Sequence, residues 1–190
     1  IHERISNLRT ITLCLLMTMV VSTTGFAKNT CKNSPYKMVD AGVPFGTPKS
    51  KIKRLAKKSF KKASFKFQNH ENVVFVAFNP PYKNMDKIAY FSIDGVVTRI
   101  LFGYHKSMIQ RFGGTVEALK AMLTKLKSQY GTGEVKSEGS SKVSIIYSSN
   151  GTSLSLIADD SDKTIMLRYD CDELEEEIRA KQAKNTNFGF

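Results

Sequence analysis

Two dipeptides constrain the fold more than any other feature: Asp94-Gly95 and Asn150-Gly151. Each separates two runs rich in β-branched and aromatic residues, Lys87–Ile93 from Val96–Tyr104 and Val143–Ser148 from Ser153–Ala158. A type I′ turn needs positive φ at both central positions, and Asp or Asn followed by Gly meets that demand at little steric cost. Two antiparallel hairpins are therefore expected. A third run extends each of them, Asn72–Phe78 ahead of the first and Thr164–Tyr169 after the second. Asn79-Pro80-Pro81 is expected to end the earlier run, because proline cannot donate to a strand ladder.

A helical pattern precedes each meander. After an irregular lead-in over residues 28–46, Thr47 suits a cap and Pro48 the first helical position, and Ile52, Leu55, Ala56, Ser59 and Phe60 share one face. Gly113-Gly114 breaks the chain again, and Thr115 is placed to cap a helix whose apolar stripe is Leu119, Met122, Leu123, Leu126 and Tyr130, with Gly131 closing it. A last helix over residues 172–184 carries Glu173, Glu175, Glu176 and Glu177 early and Arg179, Lys181 and Lys184 late, the order the helix dipole favours, before a loose tail. The expected class is α+β: two helix-plus-antiparallel-meander units (αβββ-αβββ) over 47–112 and 115–171, then a short C-terminal helix, all within one domain over 28–190. Whether the two meanders share a sheet is left open at this level.

The first 27 residues read as a cleavable secretory signal peptide. Arg4 and Arg9 give a positive start, Ile11–Val21 an apolar run, and Gly25 and Ala27 small residues at the cleavage positions. The apolar run is about half the ~20 residues that a spanning helix needs, and an uncleaved anchor is the competing reading. Export to the periplasm or beyond is thus expected. Cys14 leaves with the signal, so Cys31 and Cys171 remain as an even pair in an oxidising compartment, where a disulfide is expected. No second cysteine or histidine lies at ligand spacing from either one, so neither a zinc site nor any cofactor is expected.

The formal net charge is +12, and the cations are not spread evenly. Lys49, Lys51, Lys53, Arg54, Lys57, Lys58, Lys61 and Lys62 crowd the first helix with no carboxylate among them. A helix shaped for stability alone carries acid–base pairs at i,i+4 spacing, and this one carries none. Two readings compete: a docking surface for an anionic partner, or a solvated face whose lysine stems cover the packing beneath. Phe60, Phe65 and Phe67 lie near this helix but fit helix packing and a strand start better than base stacking. With an exported chain, nucleic acid is the poorer guess, and a protein or an anionic lipid or polysaccharide of the envelope the better one.

The segment Gly42-Val43-Pro44-Phe45-Gly46-Thr47-Pro48, leading into a helix and a meander, resembles the start of small exported modules of the β-lactamase-inhibitor-protein type. It is also similar in plan to the outer-membrane assembly lipoprotein BamE. The repeated helix-plus-meander order fits the inhibitors better. The resemblance implies a binding role rather than catalysis, and it assigns no site residue.

Catalytic signals are thin. The chain has no G-x-S-x-G, H-E-x-x-H, C-x-x-C or P-loop pattern. His70 falls in a turn between strands and His105 at a strand end, and a hydrolase built around either is the least favoured reading. Asp159, Asp160 and Asp162 lack the glycine and distal glutamate of a calcium loop and read as a polar turn. Asn150-Gly151-Thr152 fits both a glycosylation pattern and a hairpin turn. The functional expectation is an exported, non-enzymatic binding protein of unknown partner, its basic helix steering association. The alternative is an electrostatic binder of anionic envelope lipid or polysaccharide.

Overall fold

A computed structural model describes residues 31, 34–36, 41–138 and 141–186. Residues 1–27, expected from the sequence to form a signal peptide, parts of the lead-in and residues 187–190 lie outside the described residues. The chain is α+β. Among the described residues eight strands run β1 Phe65–Asn69, β2 Val73–Tyr82, β3 Met85–Ile93, β4 Val96–Tyr104, β5 Glu134–Glu138, β6 Lys142–Ser149, β7 Thr152–Asp159 and β8 Thr164–Asp170. The helices among them are α1 Lys49–Ser59, α2 Lys106–Arg111, α3 Thr115–Tyr130 and α4 Asp172–Thr186. All pairings are antiparallel, and the strands form one sheet in the order β1-β2-β3-β4-β8-β7-β6-β5.

Side chains alternate between the two faces of the sheet, and one face builds the main core. In register, Phe67, Val76, Ile88, Phe102, Leu167, Leu156, Ile145 and Val135 form one row across all eight strands. The six inner members are buried in a single apolar cluster with Ile52, Ala56 and Phe60 from α1 and its end, Met108 and Ile109 from α2, and Ala118 from α3. One residue along, the side chains turn to the other face. There the row reads Gln68, Phe75, Ala89, Leu101, Arg168, Ser155, Ile146 and Glu134, and none of these belongs to the cores packed by the helices. A smaller cluster joins Leu174 and Ile178 of α4 to Val96 and Cys171.

Both Gly turns form as expected, with Asp94 and Gly95 at φ 51° and 70° and Asn150 and Gly151 at 50° and 66°. The sheet is larger than the sequence suggests, because each half has four strands, not three. The added strands, β1 and β5, are edges; β1 turns Phe65 and Phe67 onto the core, whereas β5 is kept soluble by charge. Glu134 and Lys136 of β5 are exposed, and Val135 is 63% exposed. The pairing of β4 with β8 joins the halves. β2 runs on through Pro80 and Pro81 to Tyr82, with the register broken between Ala77 and Tyr82 where the prolines fall.

Two expected caps are corrected. Pro48, not Thr47, holds the cap position of α1, and no side chain caps it. The backbone here is committed to β4: Gly46 donates to Val97 at 2.9 Å, Lys49 to Gly95 at 2.7 Å, and the Thr47 carbonyl accepts from Val97 at 3.0 Å. Gly114 takes the cap position of α3, leaving Thr115 inside the helix with a buried, unpartnered hydroxyl. Gly131 closes α3 as expected, at φ 80°.

Candidate functional site

The basic helix is shorter than its charge run. α1 stops at Ser59 because Phe60, 1% exposed, turns inward against Phe65, Phe78 and Tyr82 at ring separations of 6.2, 5.2 and 5.6 Å. Lys61 and Lys62 therefore sit in the turn beyond it, not on the helix. Ile52 and Ala56 are fully buried beneath the helix. Burial of a side chain the size of Ile52 or Phe60 contributes about 1.5–3 kcal/mol, several times the ~0.2–0.5 kcal/mol that each like-charge i,i+4 pair costs. Packing thus holds α1 in place despite Lys53–Lys57 and Arg54–Lys58 repulsion.

Seven of the eight predicted cations are exposed: Lys51, Lys53, Arg54, Lys57, Lys58, Lys61 and Lys62. Among the described residues none of them forms an ion pair. Lys49 differs. It is half-buried, and its Nζ donates to the carbonyls of His70 and Glu71 at 2.6 and 2.5 Å, tying the helix start to the β1–β2 turn. Lys53 Nζ lies 5.8 Å from the centroid of the Phe67 ring on β1. These contacts, with Phe60 on Phe65, lay α1 alongside edge strand β1, so the cations also discourage strand addition there.

The remaining sequence candidates are accounted for locally. Cys31 and Cys171 are bonded, with their Cα atoms 5.9 Å apart, as expected. His105 is the cap of α2, its Nδ1 accepting from the Ser107 amide at 3.2 Å. His70 lies in the β1–β2 turn with its ring edge-on to Phe75 at 5.6 Å. Asp159 Oδ1 accepts from the Ser161 hydroxyl at 2.5 Å and from the Ser161 amide at 3.0 Å, the polar turn read from the sequence. These bonds, the hydroxyl's first, hold the Asp159 carboxyl below the usual carboxylate range. Asp160 pairs with Lys163 at 2.9 Å. Among the described residues no three His, Cys, Asp or Glu side chains gather as a metal site, and no helix is long and apolar enough to cross a membrane.

One charged constellation was not read from the sequence. Asp170, 3% exposed, accepts from Arg99 Nε through Oδ1 and from Arg168 Nε at 2.8 Å through Oδ2. Arg99 stands over Phe91 at 5.9 Å and reaches toward Glu175 at 3.9 Å. Its guanidinium is held above the ordinary value: the Asp170 hydrogen bond and the Asp170, Glu175 and Asp172 carboxylates together outweigh its desolvation, the largest single influence. The available signal was Arg99 interrupting an apolar strand, with Arg168 and Asp170 at alternate positions of another. The cluster is satisfied internally and fixes the β4–β8 seam.

No protein-family model matches the chain, and no curated protein is significantly similar to it. Among solved structures the chain is similar to a GTP binding regulator from Thermotoga maritima, at 14% identity and a TM-score of 0.30, covering 60% of this chain and 73% of that one. A likeness that slight carries no argument about fold or function.

Proposed function

We propose that this chain is an exported, non-enzymatic binding protein whose cationic ridge draws in a partner with an acidic surface. The reading takes residues 1–27 as a cleaved signal, the Cys31–Cys171 bond as a product of an oxidising compartment, and the two four-stranded halves as variants of one helix-plus-meander unit. The observation that carries it is the run of seven exposed cations from Lys51 to Lys62, none of them in an ion pair among the described residues. Exposed cations on a well-packed helix and the turn after it keep their field for an incoming partner, and such a field raises association rates.

Capture from an envelope extract tests this, with the disulfide intact and washes at low then high salt. A single acidic protein retained at high salt supports the proposal. Retention of only salt-labile lipid or polysaccharide replaces it with the alternative reading, a general electrostatic binder of the envelope.

A further inference from the structure

The opposite half of the helical layer is packed less tightly than α1. Helix α3 has the apolar stripe expected of a packed helix, yet only Thr115 and Ala118 are buried; Leu119, Met122, Leu123, Leu126 and Tyr130 remain half-buried. Protein interiors normally close such gaps. Here a cavity of about 560 Å³ stays open between α3, α2 and the sheet. Met122 and Leu126 form its helical wall, Met108 and Phe112 one end, and Leu167 and Tyr169 its floor. Phe112 is 48% exposed at the mouth.

The polar groups are few. Lys125 is the sole charged residue among the described residues lining the cavity, and it forms no ion pair among the described residues. Tyr104 also lines the cavity, and burial pushes its phenol above the ordinary value, so it remains a neutral hydroxyl donor. The volume lies within the range of small-molecule sites, which pair an apolar lining with a few polar groups that set orientation. We infer that this cavity binds a single-chain amphiphile with a carboxylate head, its tail against Met108, Met122 and Leu167 and its head at Lys125. The charge complementarity selects an anion, and the apolar floor selects the tail.

Decanoate is the probe, with decyltrimethylammonium as its cationic counterpart, titrated into the full chain with methionine methyls observed by NMR. Decanoate is expected to bind saturably and to move the Met108 and Met122 resonances. The Met166 resonance should stay in place, because that residue pairs with Gly103 and Ile157 on the sheet face opposite α1, α2 and α3. Lys125→Glu should weaken decanoate about tenfold and admit the cationic counterpart. Ala121 is exposed and lines the cavity, so Ala121→Trp should obstruct binding without disturbing the core. Absence of saturable shifts, equal shifts at Met166, or wild-type affinity in both variants would overturn the inference.

Discussion

Removing the Cys31–Cys171 bond should cost more than any single side-chain truncation. The bond closes a loop of sequence separation 140. In the chain-entropy model, a loop that long restricts the unfolded chain by about 5 kcal/mol, with measured cases often falling lower. The folded state has other anchors for the same segment: Tyr36 is 7% exposed and packs edge-on to Tyr130 at 5.2 Å, and Ala41 and Val43 are buried. The native arrangement of residues 41–186 should therefore survive, and the loss should come from the unfolded side. Cys31→Ala/Cys171→Ala, followed by urea unfolding, should lower stability by about 3–5 kcal/mol while near-UV circular dichroism stays native. A loss below about 1 kcal/mol would refute the entropic argument. Loss of native tertiary signal would show that the bond shapes the fold itself.

Four smaller perturbations follow from individual residues. The Tyr147 hydroxyl is buried without a partner among the described residues, so Tyr147→Phe should leave stability unchanged or raise it by about 1 kcal/mol in thermal unfolding; a clear loss would reveal a hydrogen bond. Gly95 and Gly151 both adopt positive φ, but a Cβ at Gly95 meets open space whereas one at Gly151 comes within 2.7 Å of Glu173 Cβ. Gly95→Ala should cost about 1–2 kcal/mol from backbone strain alone, and Gly151→Ala measurably more, a ranking that chemical denaturation can reverse or uphold. Asp159 titrates below its ordinary range because hydrogen bonds in its turn favour the charged form. Its contribution to stability is present above the unfolded carboxylate value, near pH 4, and lost as pH falls through the lowered folded value. Asp159→Ala should flatten that part of the acid limb in a series of unfolding midpoints.

The hairpins were legible because their turns depend on local backbone chemistry: Asp94-Gly95 and Asn150-Gly151 specify positive φ whatever the rest of the chain does. The edge strand β5 was not, because Glu134–Glu138 carries charges on a solvated edge and leaves no apolar alternation to read. Cap assignments failed where tertiary pairing outbid a local preference, as at Thr47, whose backbone is claimed by Val97. The cationic run was plain in the sequence. That Lys49 is tied to the β1–β2 turn while its neighbours stay exposed depends on the path of β1, which no local pattern encodes. The Arg99–Asp170–Arg168 seam and the cavity beside Lys125 arise only when β4 meets β8 and α3 packs across β7 and β8.

The most direct test of the central claim is a charge-reversal variant, Lys53→Glu/Arg54→Glu/Lys57→Glu/Lys58→Glu. All four side chains are exposed, and none takes part in an ion pair among the described residues, so the fold should persist with an unchanged circular dichroism spectrum. Association with the partner retained from envelope extract should slow by at least about tenfold at low salt, with the difference shrinking as salt rises. Capture at the wild-type rate by this folded variant would contradict the account and reduce the cationic ridge to a solvated cover for edge strand β1.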